Sequence, residues 1–110
     1  MEKLLCEQKD VSLYEMKKYF YTYRGLKSLR HVYEVACGLD SLVLGEDQIL
    51  GQVKCAYDMA LEAGTSASVL NTLFRDVITA AKKVKTVTEL SRNSISTGSI
   101  AVKMITTIFN

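Results

Sequence analysis

A mainly α fold, a bundle of about four helices with a short helix at the N-terminus, is what this sequence predicts. Three observations point there. The 110 residues contain no proline, so no position forbids helix continuation. Apolar residues recur at the helical period in three long stretches. Gly38 and Gly64 stand where two of those stretches stop, the position that favours a left-handed residue after a helix.

Residues 2–8 are helix-compatible. Ser12 with Glu15 three positions on matches a capping box, so a short helix follows to about Lys18. Tyr19-Phe20-Tyr21-Thr22-Tyr23 is aromatic and β-favouring, and it reads as a short orphan strand with no partner in the chain. A helix from about Leu26 to Cys37 carries Leu26, Leu29, Val32, Tyr33 and Ala36 on one stripe. Gly38 to Gly45 is a loop with an apolar centre. Glu46 or Asp47 caps the next helix, with acid at the positive end of the dipole. That helix runs to about Ala63, with Ile49, Leu50, Val53, Ala56, Tyr57, Ala60 and Leu61 as its core face. Gln48, Gln52, Cys55 and Met59 form a second stripe beside it. Ser66 or Ser68 caps a long helix to about Glu89, whose core face is Val69, Leu70, Leu73, Phe74, Val77, Ile78, Ala81 and Val84. Arg75, Thr79, Lys82, Thr86 and Glu89 fall on its solvent face. A polar break at 90–94 precedes a last helix from Ser96 or Thr97, with Ile100, Met104, Ile105, Ile108 and Phe109. That helix stops without a cap, so a cut within a longer helix is expected. Its apolar end, Ile105 to Phe109, is expected to self-associate.

The bulk numbers exclude little. Net charge is +2, too small to announce a nucleic-acid binder. Positions 34–62 are acidic and the final third is basic. Cys6, Cys37 and Cys55 lack metal-type or CxxC spacing. Their odd count, without a signal peptide, points to reduced thiols in the cytoplasm. No apolar run approaches the ~20 residues of a membrane span.

His31 is the only histidine. It lies about 160° round the helix from Leu29, so it points to water or to another surface. An exposed helix histidine is the ordinary reading of such a position, as caps and surface charge are for Asp40, Glu46 and Asp47. Gln48 and Gln52 project from one side, one turn apart, a pattern that solvated helices also show. Cys37 and Cys55 read as half-buried packing residues. Arg75, Lys82, Lys83 and Lys85 could meet RNA phosphates, or form a solvated face. No glycine-rich phosphate loop or dinucleotide fingerprint occurs. Pattern alone names no reaction.

The segment from His31 to Gln52 is more specific. His31-Val32-Tyr33-Glu34-Val35-Ala36, then Gly38-Leu39-Asp40-Ser41-Leu42-Val43-Leu44-Gly45-Glu46, then Gln48-Ile49-Leu50-Gly51-Gln52-Val53-Lys54, resembles the signature of the glutamyl-tRNA reductase family. Weaker similarity continues through Ala56-Tyr57, Glu62-Ala63-Gly64-Thr65, Leu70 to Phe74, Ala81 to Thr86 and Ser94-Ile95-Ser96.

The resemblance implies a cytoplasmic oxidoreductase of tetrapyrrole (porphyrin and haem) biosynthesis. It reduces glutamyl-tRNA(Glu) with NADPH to glutamate-1-semialdehyde, through a cysteine thioester. It implies that His31 assists the reactive thiol. It implies that Ser41, Glu46, Gln48 and Gln52 hold the glutamate part of the substrate, with Asp47 beside them. Residues 1–94 would be the helical part of the catalytic domain, α+β in the parent, and 95–110 the start of the connecting helix. A homodimer, and the downstream semialdehyde aminomutase as a partner, are further implications. The chain departs from the family pattern in lacking the Thr-Cys-Asn-Arg motif of the nucleophile, and Asp47 stands where proline is usual. The 110 residues alone are therefore expected to be inactive and to bind no cofactor. The rival expectations are a non-catalytic helical interaction module and an RNA-binding module.

Overall fold

A computed structural model describes residues 2–88, 90 and 97–109. Among them are six helices: α1 (Glu2–Lys9), α2 (Leu13–Tyr19), α3 (Leu26–Ala36), α4 (Asp47–Glu62), α5 (Ser68–Thr88) and α6 (Thr97–Phe109). The chain is mainly α, as expected, and no strand occurs among the described residues. Phe20 is extended, but residues 20–24 pair with nothing as a ladder. Aromatic β propensity reflects fit to a pleated, half-buried surface, and no such surface is present for this segment.

The core is where α3, α4 and α5 meet. Ala36, Cys37, Val77 and Ala81 are buried, flanked by Val32, Tyr33, Leu50, Leu73 and Val84. Alanine at 36 and 81 lets the backbones of α3 and α5 approach closely. Tyr57 stacks on Phe74 with ring centroids 5.8 Å apart, extending the contact of α4 with α5. The apolar stripes are buried only at their centres. Leu26, Leu29, Leu61, Val69 and Leu70 are exposed, and so is Ala56. Those residues overhang the region where the three helices cross.

The helix ends follow from local chemistry. Ser12 accepts from the Glu15 amide at 3.2 Å, half of the expected capping box, and its hydroxyl donates to the Glu15 carboxylate at 3.1 Å. At the end of α3, the Gly38 amide donates to Val35 and the Leu39 amide to Glu34, each at 2.9 Å. At the end of α4, Gly64 donates to Leu61 and Thr65 to Ala60, each at 3.0 Å. Both are Schellman turns, which satisfy the last carbonyls of a helix through a left-handed glycine. Glu46 is the N-cap of α4 but makes no capping bond with its side chain; Asp47, in the first turn, supplies the charge. α5 starts at Ser68, while the Ser66 hydroxyl donates to the Asn71 side chain at 2.6 Å.

α1 packs on α2. α6 has no extensive contact with another helix among the described residues, and Val102, Met104, Ile105, Ile108 and Phe109 are exposed along it. The radius of gyration is 17.0 Å, against about 13 Å for a compact chain of this length. Glu89 and the boundary expected between residues 94 and 95 lie outside the described residues. No helix among the described residues is long and apolar enough to cross a membrane.

Candidate functional site

The loop between α3 and α4 is the centre of the site. Its neck is closed by the Gly45 amide donating to the Gly38 carbonyl at 3.0 Å. Both neck residues are left-handed, with φ of +73° and +79°. Glycine is required there for space as well as for φ. A Cβ on Gly38 would sit 3.0 Å from the Glu46 nitrogen, and one on Gly45 would sit 2.7 Å from the Leu90 carbonyl oxygen. Inside the loop, the Ser41 hydroxyl accepts from the Val43 amide at 3.2 Å and donates to Glu46 Oε2 at 3.5 Å. Leu42, at the tip, is fully exposed.

On one side of the loop lies His31. It is half-buried, and it faces the extended segment that precedes its own helix. Tyr23 meets the imidazole edge-on at 4.9 Å between centroids and Tyr21 at 5.4 Å. The Tyr21 hydroxyl is 3.5 Å from His31 Nε2 and donates to Asp40 Oδ2 at 3.1 Å. That bond to Asp40 raises the Tyr21 pKa above its ordinary value, with desolvation and the Asp40 charge acting in the same direction. Beside His31 is a hollow of about 320 Å³ that it lines with Tyr23, Lys27, Arg30 and Glu34. Arg30 and Glu34 pair across one turn at 2.7 Å.

On the other side lies Lys85. It is 7% exposed. Its Nζ donates to the Gly45 carbonyl at 2.8 Å, to the Glu46 carbonyl at 3.1 Å and to Asp47 Oδ1 at 3.1 Å. Lys85 therefore does not belong to an exposed basic patch. Lys82 and Lys83 are exposed; Lys85 lies four residues past Ala81 and eight past Val77, on the buried face of α5. That spacing is the signal that the sequence reading missed. Burial pushes the Cys37 thiol up, and Lys85 pulls it the other way.

Two clusters thus flank one loop. Asp40 belongs to the first and Ser41 to the second, so adjacent residues join them. Gln48 and Gln52 are both exposed on α4, on a stripe shared with exposed Cys55 and Met59. Cys55 is not the half-buried residue expected, because that stripe faces away from α3 and α5. Cys37 is buried, and the half-buried Cys6 thiol donates to the Met16 sulfur at 3.4 Å. No group of three His, Cys, Asp or Glu side chains is placed to hold a metal ion among the described residues. Tyr21, Tyr23 and Lys85 are the site residues that sequence reasoning did not find.

Carboxylates suit an ammonium, and hydroxyl and amide donors suit carboxylate or carbonyl oxygens. An imidazole can move a proton, and His31 is linked to the loop through Tyr21 and Asp40.

Comparison with known proteins gives the same segment a context. A family model described as "Glutamyl-tRNAGlu reductase, N-terminal domain" matches residues 1–88. The chain is 41% identical to the glutamyl-tRNA reductase of Methylococcus capsulatus over 106 residues, covering 96% of this chain and 25% of that protein. It is 51% identical to that of Clostridium acetobutylicum over 87 residues, covering 79% and 22%. It is 40% identical to that of Syntrophus aciditrophicus over 109 residues, covering 99% and 26%. The chain spans about a quarter of the length of these curated relatives. No solved structure matches it. With 88 of its 110 residues under the domain match, the chain belongs to the glutamyl-tRNA reductase family.

Proposed function

We propose that this chain is the glutamate-recognition part of a cytoplasmic glutamyl-tRNA reductase, which reduces glutamyl-tRNA(Glu) with NADPH to glutamate-1-semialdehyde for tetrapyrrole synthesis. Glu46 takes the substrate ammonium, with Asp47 adding a second carboxylate at the same end. Ser41, Gln48 and Gln52 donate to the substrate's carboxylate and carbonyl oxygens. His31 moves a proton beside the reactive thiol. None of this chain's cysteines takes the nucleophile's role. Cys37 is buried with its thiol pushed up, which opposes thiolate formation. Cys6 is engaged with Met16, and Cys55 lies on the outer stripe of α4.

NADPH supplies the hydride in the whole reaction. A homodimer and the semialdehyde aminomutase are the partners that the family reading adds. Residues 1–94 are assigned to the catalytic domain and 95–110 to the connecting helix. The rival RNA-binding reading is weakened by Lys85, which is turned inward.

The observation that carries the proposal is the closed loop from Gly38 to Gly45. It holds Ser41 against Glu46 at the start of α4, with Gln48 and Gln52 following on one exposed stripe. The test is titration of the chain with L-glutamate α-methyl ester, a mimic of the aminoacyl ester, followed by amide NMR. Shifts should concentrate at Ser41, Glu46, Gln48 and Gln52. Glu46→Gln should weaken binding about tenfold or more, because an ammonium loses its charged partner. Shifts that are absent, or scattered over the surface, sink the reading.

A further inference from the structure

We propose that Lys85 is a positioning residue for glutamate recognition: from α5 its ammonium fixes the Gly45–Asp47 turn, and through that turn the Glu46 carboxylate. The inference rests on the functional reading above and goes one residue deeper than it.

Three properties of Lys85 carry it. The first is saturation. A lysine ammonium has three protons, and three acceptors stand 2.8, 3.1 and 3.1 Å away on Gly45, Glu46 and Asp47. No donor is left for a substrate or a phosphate, so Lys85 acts only through the turn it holds. The second is burial. At 7% exposure, the ammonium is worth keeping charged only because those acceptors replace water. Conversely, the two carbonyls would lose a charged donor if it were removed. The third is where the anchor stands. Lys85 follows Val77 and Ala81 along the buried face of α5, which packs on both α3 and α4. The turn is therefore tied across 40 positions of sequence to a helix of the three-helix core.

The turn has little room to settle elsewhere. Gly45 is left-handed, and its Cα side is closed by Leu90. Glu46 follows directly, with Ser41 3.5 Å from its carboxylate. Without the ammonium, the Gly45 and Glu46 carbonyls turn to find water, and the root of the Glu46 side chain turns with them. Displacements of about 1 Å in a binding group are enough to lose two orders of magnitude in function.

The experiment uses the 110-residue chain, at a temperature where circular dichroism shows each variant folded. Lys85→Met removes the donors and keeps the bulk; Lys85→Gln is the milder substitute should Lys85→Met not fold. Two readouts are taken: amide exchange at Gly45 to Gln48, and affinity for L-glutamate α-methyl ester. The proposal expects exchange about tenfold faster in the turn, with Val77 and Ala81 protected as in the parent chain. It expects ester affinity about tenfold weaker or more, and both restored by Lys85→Arg. Unchanged exchange overturns the proposal whatever the binding. Faster exchange with unchanged affinity overturns it too, and makes Lys85 a purely structural tie. If the parent chain does not bind the ester, the functional reading itself fails, and the positioning role falls with it.

Discussion

The two clusters beside the loop use bonds of the same length to different ends. Tyr21 reaches Asp40 at 3.1 Å, and Lys85 reaches Asp47 at 3.1 Å. Tyr21 is 61% exposed, whereas Lys85 is 7% exposed. Water competes for the first bond at both ends; at the second it reaches the Asp47 carboxylate, 64% exposed, but not the Lys85 ammonium. A hydrogen bond nets little when water can replace either partner, and breaking one is costly when the other partner stays buried. The Lys85 cluster therefore decides where the loop sits. The Tyr21 cluster, carried by the segment before α3, packs on His31 and meets the loop at Asp40. The candidate site has a buried tie under Glu46, its floor, and an exposed wall around His31.

Three substitutions break or sharpen that contrast. Gly45→Ala has the largest expected effect. It places a Cβ 2.7 Å from the Leu90 carbonyl at a φ of +79°, so the floor should lose about 3 kcal/mol or more in chemical denaturation. Val77→Ala comes next. Val77 is fully buried in the core, and its truncation should cost about 2 kcal/mol. Because it leaves Lys85 in place, ester affinity should not change at a temperature where the variant is folded. Weaker binding in that variant would mean that general core loosening, rather than the Lys85 bonds, governs the loop.

The smallest effect belongs to the wall. The Tyr21 phenol should ionise above the ordinary tyrosine value of 10.0, and Asp40→Asn should bring it back down, read by ultraviolet difference absorbance. A proton held more tightly in the folded chain lends stability below the unfolded value and loses it as pH rises through the folded one. The Asp40-dependent stability should therefore be intact at neutral pH and fade only above pH 10. An identical titration in Asp40→Asn would show that the Tyr21–Asp40 bond does not form in solution.

Much of this was legible in the sequence where the physics is local. Gly38 and Gly64 ended their helices because a left-handed residue is needed after a Schellman turn. The stripes through Val32, Ala36, Val77 and Ala81 were read correctly because one period governs each helix. The overhanging residues, Leu26 and Val69 among them, were not, because periodicity says which face is apolar and not how far along the axis a partner helix extends. Lys85 was misread because its charge outweighed its register: at 77, 81 and 85 the spacing already put it inside. The segment at 19–23 was misread as a strand because propensity cannot supply the neighbouring strand that a ladder requires. As for the candidate site, the pairing of Ser41 with Glu46 lies within five residues. The Tyr21–His31–Asp40 contact depends on how the chain folds back before α3, which no local pattern records.

The closed neck from Gly38 to Gly45 has one further consequence. A loop whose ends are already tied by a backbone hydrogen bond is a compact Ω-loop, packed by its own side chains. Ser41 and Val43 are tied to each other and to Glu46, while the Leu42 side chain between them stands fully in solvent. The Leu42 side chain is thus the point on this surface where a dye or a tether can be carried within a few residues of Ser41 and Glu46 without interrupting the backbone between Ser41 and Val43.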